Sequence, residues 1–271
     1  MRLFIFILTL LGAATALRAE TKPRLATAEE VALLKDAMKN SDQDTEHWAY
    51  TETTTVRDKK GYVHNGTVVR FDPSKPYAEQ FTPLMIDDKP PTEKELKKHR
   101  RKGEKRGEKR ASDAAKAVAK TEGEPPQLTI NNSKVRLEFD QPLVVQDDAS
   151  RITFEIPVRS DSKEIPVEKL QILVQIGKPA RLVERAVFRI RASFRMKLVA
   201  KIKTGEASVD FVVVDPNFPP VITTMTANIG ASILMIPLNA TFTNTRTEWQ
   251  RVKPYDERFS VKLGPLQFPG F

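Results

Sequence analysis

Phe188-Arg189-Ile190-Arg191-Ala192-Ser193-Phe194-Arg195-Met196-Lys197-Leu198-Val199-Ala200-Lys201-Ile202-Lys203 alternates in hydropathy along its whole length. All eight even positions are apolar, and six of the eight odd positions are Lys or Arg. A period of two belongs to a β-strand, whose successive side chains point to opposite sides. The stretch therefore predicts a sheet with one apolar and one cationic face, as in an antiparallel sheet that is wet on one side. A single strand of this length would run ~53 Å, well past the usual strand. The segment must bend strongly or break near Ala192-Ser193. Phe188, Phe194, Met196 and Leu198 are candidates for the wall of an apolar cavity. Arg189, Arg191, Arg195, Lys197 and Lys201 are candidates for an anion-facing surface.

The same period continues on both sides. Upstream, Val135, Leu137 and Phe139 alternate with charged residues, and Ile152, Phe154, Ile156 and Val158 alternate with Arg151, Thr153 and Glu155. Leu170, Ile172, Val174 and Ile176 form a third segment. Downstream, residues 209–214 predict a core strand that contains Phe211 and stops at Asp215-Pro216. Pro219 and Pro220 predict an irregular stretch after it. Residues 229–236 are apolar on both sides, which fits a buried strand or a short lid helix. Residues 238–249 read as a threonine-rich strand, and Phe259, Val261 and Leu263 close the series.

Nearer the start, Thr27-Ala28-Glu29-Glu30 is a capping box, and Val31, Leu34 and Met38 recur at helical spacing. An amphipathic helix over Ala28–Asn40 follows. Trp48, Tyr50, Thr54 and Val56 then share one parity, Asp58-Lys59-Lys60-Gly61 reads as a turn, and residues 62–71 as the return strand. Residues 77–84, with Phe81, are a further strand. Thr92-Glu93-Lys94-Glu95 is a second capping box. From Thr92 to Glu124 there are 12 Lys/Arg against 7 Asp/Glu, with Gly103 and Gly107 interrupting and no apolar stripe before Ala114. This predicts a solvated helical insertion over residues 92–126, frayed or partly disordered in the middle.

Met1-Arg2, the apolar run 3–11 and the small residues up to Ala16 or Ala19 have the pattern of a secretory signal peptide. Cleavage after Ala16 or Ala19 is expected, leaving residues 20–271 as one domain. An exported chain with no cysteine fits a bacterial periplasm. The absence of cysteine also excludes a disulfide scaffold, a thiolate metal site and a cysteine nucleophile. The formal charge of +9 admits three readings: plain solubility, envelope anions and nucleic acid. Export argues against the last.

Nothing in the sequence supports a catalytic centre. His47, His64 and His99 do not fall at ligand spacing. No nucleophile elbow, P-loop or dinucleotide-binding glycine turn is present. Asp87-Asp88 and Asp147-Asp148 read as turn formers. Trp48, Phe81, Phe154, Phe188, Phe194 and Phe211 admit two readings, plain core or the wall of a cavity in a curved sheet.

The order of elements resembles the bacterial outer-membrane lipoprotein-sorting proteins (LolA/LolB-like). The residues that carry it are the helix before Trp48, the strand 48–56 and the strands around 194–214. The turns at Arg70-Phe71-Asp72-Pro73 and Asp87-Asp88-Lys89-Pro90-Pro91-Thr92 look like those of periplasmic relatives of that family. The resemblance implies a half-barrel of about eleven strands, with helices as a lid over a cavity that accepts acyl chains. It supplies no motif that identifies a lipid-contact residue. Without a lipid-accepting cysteine the chain is nearer the soluble carrier than the anchored receptor, and its basic insertion departs from the carrier.

The expected fold is all-β dominated (α+β): a strongly curved antiparallel half-barrel of about ten strands, with an N-terminal helix and a mid-chain helical insertion. The expected function is non-enzymatic binding of an apolar or acyl ligand. The cavity candidates are Trp48, Phe81, Phe154, Phe188, Phe194, Met196, Leu198 and Phe211. Expected partners are a lipid or lipoprotein acyl chain and an anionic membrane surface, with no nucleic acid, no cofactor and no metal; oligomeric state stays open. The alternative is a cell-envelope interaction protein with a closed core and a basic partner-binding face. An outer-membrane barrel ending at Phe271 ranks third, since Pro265 and Pro269 disrupt a closing strand, and an enzyme ranks fourth.

Overall fold

The computed structural model describes residues 22–41, 44–58, 60–117, 127–130, 133–160, 166–196, 200–233 and 236–258. These contain fifteen strands and two α-helices: β1 (Arg24–Leu25), α1 (Ala28–Asn40), β2 (Trp48–Asp58), β3 (Val63–Phe71), β4 (Phe81–Ile86), α2 (Glu93–Ala117), β5 (Gln127–Ile130), β6 (Ser133–Leu137), β7 (Leu143–Asp147), β8 (Arg151–Glu155), β9 (Val158–Ser160), β10 (Leu170–Gly177), β11 (Leu182–Ile190), β12 (Phe194–Met196), β13 (Ala200–Val212), β14 (Val221–Ile233) and β15 (Ile236–Arg251). The expected leader, residues 1–19, lies outside the described residues, as do the last strand at 259–263 and residues 118–126 of the insertion.

The alternating stretch breaks where its length requires. β11 ends at Ile190, β12 takes up residues 194–196, and β13 begins at Ala200. Both earlier pieces lie along one edge of β13, with Arg189 opposite Glu206 and Phe194 opposite Ile202. β13 itself runs on to Val212. The expected separate strand 209–214 is therefore the end of this longer one, and Val212, Val213 and Val214 are exposed where the chain leaves the sheet.

Twelve strands form one antiparallel sheet in the order β1-β7-β8-β10-β11-β13-β14-β15-β2-β3-β4, with β12 beside β13. The two ends, β1 and β4, do not pair, so the sheet is not closed. β5, β6 and β9 form a second, small sheet. The chain is mostly β with two helices, as expected, but with more strands than the ten anticipated. Residues 213–220 are irregular, and the irregular stretch expected at Pro219-Pro220 ends there, because β14 starts directly at Val221. The described residues of 229–236 are strand and not a lid helix. They contain the end of β14 and the start of β15, with Ile233 opposite Ile236 in a hairpin.

The core sits at one end of the sheet. The capping box holds: Glu30 N–H donates to Thr27 Oγ1 and Thr27 N–H to Glu30 Oε2. It starts α1 in the phase that buries Leu34 and Ala37 against Val144, Ile152, Phe154, Ile156, Val174, Ile176 and Val183. Each large aliphatic side chain buried here contributes ~1.5–3 kcal/mol. Val183 N–H donates to Ser41 Oγ at 2.9 Å, tying the end of the helix to β11.

α2 departs from expectation in one respect. Its capping box forms, with Thr92 N–H donating to Glu95 at 2.8 Å, but the helix continues unbroken through both glycines. Gly103 and Gly107 are buried against Tyr77, and a Cβ on Gly103 would lie 2.2 Å from the Tyr77 carbonyl oxygen. The glycines are the contact surface, spaced one turn apart, and the close approach offsets their low helix propensity. His99, expected in a solvated run, is half-buried beside β4. Its pKa is lowered, first by burial and then by Lys102, Arg106 and Lys98.

Candidate functional site

Residues directly opposite in antiparallel strands share a face. The register therefore sets out a row across six strands: Ile172, Phe188, Ala207, Ala227, Phe242 and Val56. A neighbouring row runs Phe154, Val174, Ala186, Val209, Met225, Asn244 and Thr54. Under α1 these rows are core. From β11 onward they become half-buried at Phe188, Val209, Met225, Ala227 and Phe242, and Ile229 on the same face is 50% exposed. α1 packs on β11 and α2 on β4. Between those contacts lies an apolar sheet face that the described helices leave partly open.

The opposite face is polar. Ser208, Thr226, Thr243 and Thr55 stand opposite one another across four strands, with Ser208 and Thr226 hydroxyls 2.8 Å apart. This explains the threonine-rich strand: the β-branched side chain suits a pleated surface, and its hydroxyl suits a wet one.

One polar group interrupts the apolar face. Asn244 is 3% exposed, its Nδ2 donates to Thr54 Oγ1 at 2.9 Å, and its Oδ1 has no partner among the described residues. Burying an unmatched acceptor costs on the order of 1–3 kcal/mol.

The face ends in a chain of six aromatic rings: Phe218, Trp48, Trp249, Tyr50, Phe71 and Phe81. Successive centroids are 5.9, 6.1, 4.8, 5.0 and 4.6 Å apart. A bulge makes the chain possible. Between Thr247 and Gln250 the register of β15 against β2 shifts, and Glu248 takes φ +53°. The extra residue switches parity, so Trp249 and Arg251 join the face that Phe242 and Asn244 already occupy. Arg70 donates to the Glu248 carbonyl at 2.9 Å and Thr51 to its carboxylate at 2.5 Å, holding the bulge. Arg106, Arg246 and Arg251 lie over Phe81, Tyr50 and Phe218 at 3.8, 4.7 and 3.9 Å. Burial raises the Tyr50 pKa.

The expected cavity residues divide accordingly. Phe154 is fully buried in the core and Trp48 is buried in the aromatic chain; both are packing residues as they stand, because their surfaces are already covered. Phe81 is half-buried between Phe71 and Arg106. Phe188 lies on the open apolar face, and Phe194 is half-buried on β12. Phe211 packs at the core edge and lines a cleft of about 530 Å³ with Leu182, Arg185, Asp210, Val213 and Pro220. Leu198 and the Met196 side chain lie outside the described residues.

The cationic candidates are exposed, as their parity required, but partly neutralised. Arg189 pairs with Glu206 at 2.7 Å, Arg191 with Glu155, and the neighbouring Arg185 with Asp210 at 3.5 Å. Arg195 and Lys201 stand exposed and directly opposite each other. Lys197 lies outside the described residues.

Sequence reasoning missed Phe242, Ala227, Met225 and Ile229, because their face is set by register with partners distant in the chain. It also missed Trp249, whose parity changes at a bulge without glycine. No protein-family model matches this chain, and no curated protein is similar to it at a significant level.

Proposed function

We propose that this protein is a non-enzymatic, exported binder of an apolar or acyl chain, held on the open apolar face of a strongly curved, half-barrel-like sheet. The observation that carries the reading is the half-buried row Phe188-Ala207-Ala227-Phe242-Val56, which is apolar across five strands. Each CH₂ buried on such a face contributes ~0.8 kcal/mol. A long acyl chain thus gains on the order of 10 kcal/mol before the cost of ordering it. The helices at the two ends of the face, α1 and α2, fit the role of flanking cover, and the resemblance to lipoprotein-sorting proteins points the same way. The signal-like leader, with cleavage after Ala16 or Ala19, suits a periplasmic site of action.

The alternative, an envelope interaction protein with a closed core and a basic face, draws on the exposed pair Arg195 and Lys201. Solvent extraction of the purified mature protein, followed by mass spectrometry, separates the two. Acyl species recovered in stoichiometric amount support the carrier. A protein that neither retains nor takes up acyl chains, yet captures a partner through its cations, supports the alternative.

A further inference from the structure

The strongest unassigned feature is the phase of α2. Leu96 and His99 line the cleft against β4, Gly103 and Gly107 meet Tyr77, and Arg106 covers Phe81. That docking fixes the rotation of the helix about its axis. At 100° per residue the opposite side carries Lys94, Lys97, Lys98, Arg101, Lys102 and Lys105, which line one shallow groove along the helix. All six are exposed, and among the described residues none is in an ion pair. Of the acids on this side, Glu95 in the groove is engaged by the Thr92 amide and hydroxyl at 2.8 and 2.7 Å, and exposed Glu108 lies beyond Lys105 at the far end of the stripe. The two arginines of β11, by contrast, are both matched by carboxylates, Arg185 by Asp210 and Arg189 by Glu206.

We propose that this face of α2 docks the protein on the surface of an anionic phospholipid bilayer. The stripe spans ~17 Å of helix and holds no apolar side chain, so it rests on headgroups and does not insert. Five of its six cations are lysines. Lysine is a hydrated point charge suited to a diffuse plane of negative charge, whereas reading of bases or paired phosphates favours the arginine fork. Clusters of four to eight cations are the size that holds a segment at such a surface. This docking stands apart from the acyl-binding reading, since it needs only the helix and its contact with β4.

Co-sedimentation of the mature chain with vesicles tests it. The protein should pellet with vesicles of phosphatidylcholine containing about a third phosphatidylglycerol, and not with phosphatidylcholine alone. Raising salt to about 0.5 M should release it, because the Debye length contracts to a few ångströms. Lys98→Glu/Arg101→Glu/Lys102→Glu, with an unchanged melting temperature, should weaken anionic-vesicle binding about a hundredfold or more. Arg195→Glu/Lys201→Glu should bind like the unaltered chain. Equal binding to neutral vesicles, or no loss in the α2 variant, overturns the proposal. So does tighter binding to a short DNA duplex than to anionic vesicles, which would assign the stripe to nucleic acid.

Discussion

Gly103 shows how far one hydrogen atom in place of a methyl group can decide an arrangement. In an isolated helix Gly→Ala is stabilising by about 1 kcal/mol. Here the added Cβ would lie 2.2 Å from the backbone oxygen of Tyr77, which cannot swing aside as a side chain could. Gly103→Ala should therefore keep α2 helical while lifting it from β4. Circular dichroism should be unchanged, and tryptic cleavage within residues 94–109 should accelerate; unchanged proteolysis would contradict the docking. The Gly-x-x-x-Gly spacing was visible in the sequence, but its meaning depended on Tyr77, in the turn before β4.

Glu30 offers a second test at this scale. Hydrogen bonds from Arg24 at 2.6 and 2.8 Å, helped by the Thr27 amide and opposed by burial, hold its pKa at about 2 against an ordinary 4.5. A carboxylate depressed on folding contributes stability that is present above pH 4.5 and lost as pH falls toward about 2. Glu30→Gln should lower the melting temperature at neutral pH, and the difference from the unaltered protein should shrink through that window. A difference independent of pH between 5 and 2 would contradict the ion pair.

Among elements, α1 was the most legible. Its capping box and i, i+3/i+4 apolar spacing are local signals, and the helix occupies Ala28–Asn40 as expected. Leu34 is its central anchor and fully buried. Leu34→Ala should cost ~2–5 kcal/mol, the usual range for a cavity left in a packed core. The shift should appear in the urea midpoint with little change in slope. A loss below about 1 kcal/mol would mean that α1 is a peripheral cover and not part of the core. The strands were legible as alternation, and the break at residues 191–193 as a consequence of length. The face of β15 beyond Thr247 was not, since the bulge that turns Trp249 inward involves Glu248, a residue with no intrinsic turn preference.

For the molecule as a whole, the decisive pairings are distant in sequence. β15 lies beside β2, so strands from near opposite ends of the chain meet inside the sheet. Alternation shows that each strand has an apolar side; it does not show which apolar sides meet, or where a helix fails to reach. The apolar face from Phe188 to Val56 is a product of that register. Phe188 alone of its half-buried row was chosen from the sequence as a cavity residue.

The claim that this face receives an acyl chain is tested most directly by titrating the delipidated protein with a fluorescent fatty acid. Ile229 on the apolar face and Thr241 on the polar face are suitable positions to alter, because Ile229 is already half exposed and Thr241 stands opposite Arg57. The unaltered protein and Thr241→Glu should show saturable uptake, and Ile229→Glu should lose it by tenfold or more at unchanged melting temperature. Equal uptake by both variants, or none by the unaltered protein, would contradict the proposed site.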